Sequence, residues 1–227
     1  MKLLKNSCDT ITCQMCKNCS IHWLPAIQNN RKNYSVAKGE LIFNEGEEMK
    51  GIFFVYSGVV KVHKRWEDDK ELIVRFAKDG DIVGHRGLGK DRIYPVAATA
   101  LTPTTVCYVE LEFFLSTLKV NTDYLFQLMM FYASELKESE KFMRNLAHMT
   151  VKGRIAHSLF SLQSKFGEDP EGNIDIILSR QDLASYAGTS YETLFRMLNE
   201  MTGEGMVKVD KKISIINGDK LLALTRG

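Results

Sequence analysis

The sequence lacks any apolar run approaching the ~18 residues that a membrane-spanning helix needs. No secretory signal opens it either: Met1-Lys2-Leu3-Leu4-Lys5 is charged, and Asn6, Ser7 and Asp9 follow with no apolar stretch. With only four prolines and sixteen glycines among 227 residues, a collagen-like or largely disordered chain is excluded. Charge of one sign is also missing. Thirty Lys+Arg stand against 28 Asp+Glu, a formal charge of +2, so there is no global basic signature. Any role with nucleic acid must therefore rest on a local patch. These absences imply a soluble, cytoplasmic chain with no membrane partner. At 44% apolar and 26% charged residues it has an ordinary globular composition, enough for one large or two modest domains.

What is present in excess is cysteine at one end. Cys8, Cys13, Cys16 and Cys19 crowd the N-terminus, and Cys107 stands alone. In a reducing compartment such a cluster binds metal or does redox work more readily than it forms disulfides. There is no second CxxC pair and no nearby HxxxH, so a standard zinc finger is not indicated. The spacings x4, x2 and x2 let thiolates converge on one zinc or iron–sulfur centre, and four of them complete a [4Fe–4S] cluster. Taken alone, Cys107 in Thr105-Val106-Cys107-Tyr108-Val109 reads as a small buried hydrophobe of a strand.

Residues 1–34 form a cysteine-rich, basic segment in which Ile21–Gln28 can make a short helix. From 35 to 118 the chain alternates short strand-like runs with glycine turns. The runs are Leu41–Phe43, Ile52–Tyr56, Val59–His63, Leu72–Phe76, Ile82–Val83, Pro95–Ala100 and Thr105–Val109. Phe53 to Val62, turning at Ser57-Gly58, reads as a hairpin. Over 119–150 the pattern becomes helical. Leu125, Met129, Tyr132, Leu136, Ser139, Met143 and Leu146 alternate spacings of four and three, an a/d seam that predicts pairing with a second copy.

The last part, 151–227, opens with a helix to Phe166 and breaks at Gly167–Gly172. A strand over Ile174–Leu178, two helices about Gly188, and strands Met206–Val209 and Ile213–Ile216 follow. Ser179-Arg180-Gln181-Asp182 is a helix start, and Thr189 or Ser190 caps the second helix. In that helix Leu194, Met197, Leu198 and Met201 take the i, i+3, i+4, i+7 positions of a core face. Tyr191, Glu192, Phe195, Arg196 and Asn199 share the other. Arg bonds guanine O6 and N7 bidentately, Glu accepts from cytosine N4, and Phe195 can cover a thymine methyl. Lys208, Lys211 and Lys212 can reach phosphates, with Ser179, Arg180 and Ser190 near the same surface. The competing reading makes Glu192 part of a capping box with Thr189, or an i,i+4 surface pair with Arg196.

Taken in order, these elements resemble the CRP/FNR family of transcription regulators. The shared motifs are Lys38-Gly39-Glu40-Leu41-Ile42-Phe43, Glu45-Gly46-Glu47, Ser57-Gly58, Gly80-Asp81-Ile82-Val83-Gly84 and Leu178 to Ala184. The resemblance implies an α+β fold: a β-roll like the cyclic-nucleotide-binding double-stranded β-helix, a long dimerisation helix, and a C-terminal winged helix–turn–helix. Within the family the chain looks most like the FNR branch. There, N-terminal cysteines and one cysteine of the roll ligate an oxygen-labile [4Fe–4S] cluster. That assigns the ligands to Cys13, Cys16, Cys19 and Cys107, with Cys8 as a spare or substitute. The short x2 gap before Cys19 departs from the FNR pattern, so a set of all four N-terminal cysteines stays open. Cyclic AMP is not expected. His85 follows Gly84 where cAMP binders carry Glu, and Tyr94-Pro95 occupies the place of their Arg-Ser or Arg-Thr.

The implied protein is a homodimeric regulator, not an enzyme, that binds palindromic double-stranded DNA and touches RNA polymerase. Glu192-Thr193-Leu194-Phe195-Arg196 keeps the Glu and Arg of the FNR recognition run, implying TTG-like half-sites. Oxygen or nitric oxide is the implied signal. Two rivals stand beside it. One is a family member answering to haem, a small molecule or thiol redox, with zinc or no metal on the cysteines. The other is a ligand-binding module acting through protein partners.

Overall fold

The structure is a computed structural model that describes residues 1–4, 10–66 and 70–226. Cys8 lies outside the described residues. The chain divides into two compact units, Met1–Leu136 and Lys137–Gly227.

The first unit is an antiparallel roll of two sheets. One joins β1 (Lys2–Leu4), β2 (Arg31–Val36), β9 (Thr104–Glu110), β4 (Gly51–Ser57) and β7 (Ile82–Val83), in that order. The other joins β3 (Leu41–Phe43), β8 (Ala97–Ala100), β5 (Val60–Trp66) and β6 (Lys70–Ala77). Together with the helices around them the sheets bury Ile52, Phe54, Val60, Val62, Ile82, Ala98, Val106 and Val109 in one core. All seven expected strands form. The expected Phe53–Val62 hairpin does not, because β4 and β5 belong to different sheets. The chain crosses between the sheets at Gly58, whose φ of +101° places it where a side chain is strained. A Cβ there would also lie 2.9 Å from Thr104 Cα. The true hairpin is β5–β6, and β4 pairs with β9, fifty residues further on.

Before the roll come α1 (Gln14–Asn18), a 3-10 turn at Ile21–Trp23 and α2 (Leu24–Asn30). After it, α3 (Leu111–Val120) buries Phe114, and α4 runs from Thr122 to His148, across the division between the units. Tyr124 and Leu128 of α4 are buried against the roll. Leu125, Phe126, Met129, Met130, Leu136 and Met143 are large apolar residues left exposed on the same helix.

The second unit packs α5 (Val151–Phe166), α6 (Arg180–Ala187) and α7 (Tyr191–Gly203) with the hairpin of β10 (Val207–Val209) and β11 (Ile213–Ile215), and closes on α8 (Gly218–Ala223). Its core holds Ile155, Leu159, Leu183, Leu194, Leu198, Met201 and Leu221. The strand expected over Ile174–Leu178 does not form. Ile174 makes one bridge with Glu168, and the Ile176 N–H donates to the Ile174 carbonyl, a tight turn that ends any ladder.

Candidate functional site

The helix–turn–helix is built by local chemistry that the sequence announces. The Ser179 hydroxyl accepts from the Asp182 N–H and caps α6. Gly188 ends that helix with φ +63° and ψ +45°, the left-handed turn that glycine adopts at least cost. The Ser190 hydroxyl then accepts from Thr193 N and caps α7. Ser190 is thus the cap, and Glu192 sits only two residues beyond it, too early for a capping box. Glu192 and Arg196 form no ion pair with each other among the described residues. Both simple alternatives for Glu192 therefore fall away.

One residue missed by sequence reasoning fixes the turn. Arg154 of α5 donates from Nε to the Ala187 carbonyl, from Nη2 to Gly188 and from Nη1 to Met149, each at 3.0 Å. These carbonyls at helix ends have no helical partner, and the planar guanidinium fork satisfies all three. The orientation of α7 thus depends on Arg154.

On α7 the core face holds as expected: Leu194, Leu198 and Met201 are buried and Met197 is half-buried. Tyr191, Glu192, Phe195, Arg196 and Asn199 are all exposed. Tyr191 and Phe195 stack with ring centroids 6.5 Å apart, keeping an apolar plate beside Arg196. Lys211 is exposed at the tip of the β10–β11 hairpin. Lys212, expected to reach phosphates, is ion-paired within its own unit. Its ammonium bonds Asp175 at 2.7 Å and Asp169 at 3.0 Å, and those carboxylates raise its pKa. Its work is to tie the hairpin to the Gly167–Asp175 loop. Arg180 is half-buried and donates to the Asp210 carbonyl. Lys208 is exposed but paired with Asp210 at 3.1 Å.

The described cysteines lie in or against the core of the other unit. Cys13 precedes α1, Cys16 lies in it and Cys19 follows it. Trp23 anchors the segment, donating to the Thr117 hydroxyl and stacking on Phe113, and Ser20 N donates to Asn121. The chain passes so close to the β6–β7 turn that a Cβ on Gly80 would lie 2.9 Å from the Thr12 carbonyl. Cys13, Cys16 and Cys107 are buried in one apolar cluster, and Cys19 packs against it. All four carry thiols rather than disulfides. Burial and then Cys13 push the Cys19 thiol up to about 12.

Cys107 faces Phe54 across the β9–β4 ladder. Phe54 lies 6.4 Å from the Phe114 ring, and Phe114 meets the Tyr124 ring edge-on at 6.2 Å. Burial, then the charges of Cys13, Cys19 and Cys16, hold Tyr124 well above the ordinary tyrosine pKa. Its buried hydroxyl has no hydrogen-bond partner among the described residues. Among those residues no three His, Cys, Asp or Glu side chains are gathered closely enough to hold a metal ion. The donor set is nonetheless chemically apt for iron and sulfide: soft sulfur ligands, an apolar surround, and an orphan O–H donor beside them.

A second polar cluster joins the roll to α4 within the same unit. Glu135 receives Arg86 at 2.8 Å and Arg75 at 3.5 Å, and the buried His85 Nε2 lies 3.8 Å away, beyond hydrogen-bond reach. Arg75 also sits over the Phe131 ring, 5.4 Å from its centroid. Tyr132, expected in the exposed seam, instead donates its hydroxyl to the His85 carbonyl and is half-buried. Leu146 is half-buried as well.

Burial lowers the pKa of His85 below its ordinary 6.5, with Glu135 opposing and Arg75 adding to the shift. Burial would raise Glu135, but Arg75 and Arg86 hold it at about 2, against an ordinary 4.5. In both cases the unfolded chain takes protons more readily, so this cluster stabilises the unit above 6.5. Stability is lost as pH falls below 6.5, and again below 4.5. His85→Gln is expected to flatten the first step, read from thermal unfolding between about pH 7.5 and 5.5. Parallel slopes in variant and wild type would refute the assignment.

Comparison with known proteins agrees with this architecture. The cyclic nucleotide-binding domain family matches residues 34–121, and the Crp-like helix-turn-helix domain family matches residues 153–224. The fumarate and nitrate reduction regulatory protein of Salmonella typhimurium is 28% identical over 226 residues, 92% of this chain and 89% of its own. The transcriptional activator protein anr of Pseudomonas aeruginosa is 27% identical over 201 residues, 87% of this chain and 82% of its own. The solved structure of FixK2 from Bradyrhizobium japonicum superposes with a TM-score of 0.77 at 25% identity, over 87% of this chain and 98% of that one. No helix among the described residues is long and apolar enough to cross a membrane. Roll, long helix and winged helix–turn–helix thus follow one another as they do in these relatives, and the chain belongs to the CRP/FNR family of DNA-binding transcription regulators, which are not enzymes.

Proposed function

We propose that the chain is a cytoplasmic regulator of the FNR branch, whose DNA binding depends on a redox-labile [4Fe–4S] cluster held by Cys13, Cys16, Cys19 and Cys107. The observation that supports the reading is that Cys13, Cys16 and Cys107 are buried in the apolar core that also holds the orphan Tyr124 hydroxyl, with Cys19 packed against it. The similarity to the fumarate and nitrate reduction regulatory protein supports it. When bound, the cluster supplies an oxygen- and nitric-oxide-labile centre whose integrity biases the dimer.

The chain's own residues do the rest. The exposed Leu125, Met129, Leu136 and Met143 of α4 form the pairing surface for a second copy, with Tyr132 and Leu146 as half-buried neighbours. Pairing sets two copies of α7 about one DNA turn apart, ~34 Å, over a palindrome. Glu192 and Arg196 read base edges in TTG-like half-sites, beside Phe195 and Tyr191. Ser179, Arg180, Ser190 and Lys211 flank them toward the phosphates. The activated complex contacts RNA polymerase.

The deciding measurement is metal analysis of protein purified without oxygen. About four irons with matching acid-labile sulfide per chain are expected. Zinc, or no metal, with specific palindrome binding intact would replace the cluster by another effector. Loss of sequence-specific, salt-dependent DNA binding under all conditions would point to a module acting through proteins.

A further inference from the structure

Tyr124 stands in the first turn of α4, fully buried, with its ring edge against Phe114. Its hydroxyl finds no partner among the described residues, although phenylalanine would fill the same space without burying a polar atom. Cys13, Cys16 and Cys107 are buried in the same apolar core as Tyr124 and Cys19 packs against it, and the charges of Cys13, Cys19 and Cys16 add to the burial that holds the Tyr124 pKa up. A thiol sulfur accepts a hydrogen bond weakly, whereas an iron-bound thiolate or bridging sulfide is a charged and much stronger acceptor.

We infer that Tyr124 is a positioning residue for the cluster, donating its O–H to a sulfur of the cluster or of one of its cysteine ligands. The inference rests on the cluster reading proposed above. A donor aimed at cluster sulfur spreads negative charge and favours the more reduced state, so it raises the reduction potential. The hydroxyl left orphaned in the thiol form is then satisfied in the loaded form.

The test uses full-length wild type and Tyr124→Phe, each reconstituted without oxygen with ferrous iron and sulfide. Iron and acid-labile sulfide are counted first. The potential at which the cluster takes one electron from dithionite is then titrated with mediators. Reduced wild type is also exchanged into D2O for electron–nuclear double resonance. Tyr124→Phe is expected to load as much iron and sulfide as wild type. At a fixed solution potential its reduced-to-oxidised ratio is expected to fall about ten-fold, or 59 mV for a one-electron couple. Wild type is expected to show an exchangeable proton coupled to the cluster that the variant lacks. Equal potentials in two loaded proteins overturn the inference and leave the cluster reading standing. Wild type that takes up no iron and sulfide overturns both. If Tyr124→Phe does not fold or load, the wild-type spectrum decides, since absence of the coupled exchangeable proton overturns the role of Tyr124.

Discussion

Cys107→Ala is expected to leave anaerobically reconstituted protein with less than a tenth of the wild-type iron and acid-labile sulfide. Losing a partner that merely orients a ligand costs roughly 10–100-fold in metal affinity, so losing a ligand costs at least ~100-fold. Cys107 is 1% exposed in β9, a strand hydrogen-bonded on both sides, so no other residue can move in to replace it. Alanine removes the sulfur without adding a polar atom. The packing loss is that of one small side chain, about 1 kcal/mol, and should leave the roll folded. Serine is the complementary variant. It keeps the shape but buries a hydroxyl, which costs about 1–3 kcal/mol unless it finds a partner. Both must lose the cluster if Cys107 is a ligand. Cys8→Ser should retain it. The opposite result, full loading without Cys107 and none without Cys8, would transfer the site to the four N-terminal cysteines.

That ambiguity marks where the sequence stops speaking. Spacing announces a thiol site, but spacing cannot say which distant strand comes to meet it. Cys107 reads as an ordinary core residue, and only the β9–β4 ladder sets it opposite Phe54, on the side of the sheet that packs against Phe114. The same limit explains the misread hairpin. Alternation and glycine turns reveal each strand, because they depend on neighbours two residues apart. Which strands pair depends on contacts fifty residues apart, and in a two-sheet roll successive strands leave for opposite sheets. The recognition helix was legible because its signals are local: caps at Ser179 and Ser190, a left-handed Gly188, and a period of 3.6 in Leu194, Leu198 and Met201. Arg154 was not, since it acts on carbonyls 33 and 34 residues away. The pairing of Lys212 was illegible for the complementary reason. Its charge is visible in the sequence, but Asp169 and Asp175, which neutralise it, come from a loop that reads only as a helix breaker. Tyr132 sits at a seam position by period, yet its hydroxyl is drawn to the His85 carbonyl.

Arg196→Ala is expected to weaken binding to a palindromic site while leaving folding intact. Arg196 is exposed on α7, away from the buried Leu194 and Leu198, so its truncation should change stability by no more than about 0.5 kcal/mol. A bidentate arginine–guanine contact contributes about 1–3 kcal/mol of discrimination. A dimer makes that contact once per half-site, and the two are far enough apart to add, giving about 2–6 kcal/mol over the whole palindrome. The measurement is Kd at fixed salt for the wild-type site and for sites changed at each half-site position. Arg196→Ala should flatten discrimination at one base pair in each half-site and leave the other positions as selective as before. Lys211→Ala is the contrast. A phosphate contact carries no sequence information, so its loss should weaken every site alike and reduce the dependence of affinity on salt. If Arg196→Ala behaves as Lys211→Ala does, α7 touches the backbone and base reading must lie elsewhere. The unit that carries α7 has ten Lys+Arg against ten Asp+Glu from residue 151 onward. With no bulk positive charge to hold the duplex, specific affinity must come from a few well-placed contacts, which is why one side chain is expected to matter this much.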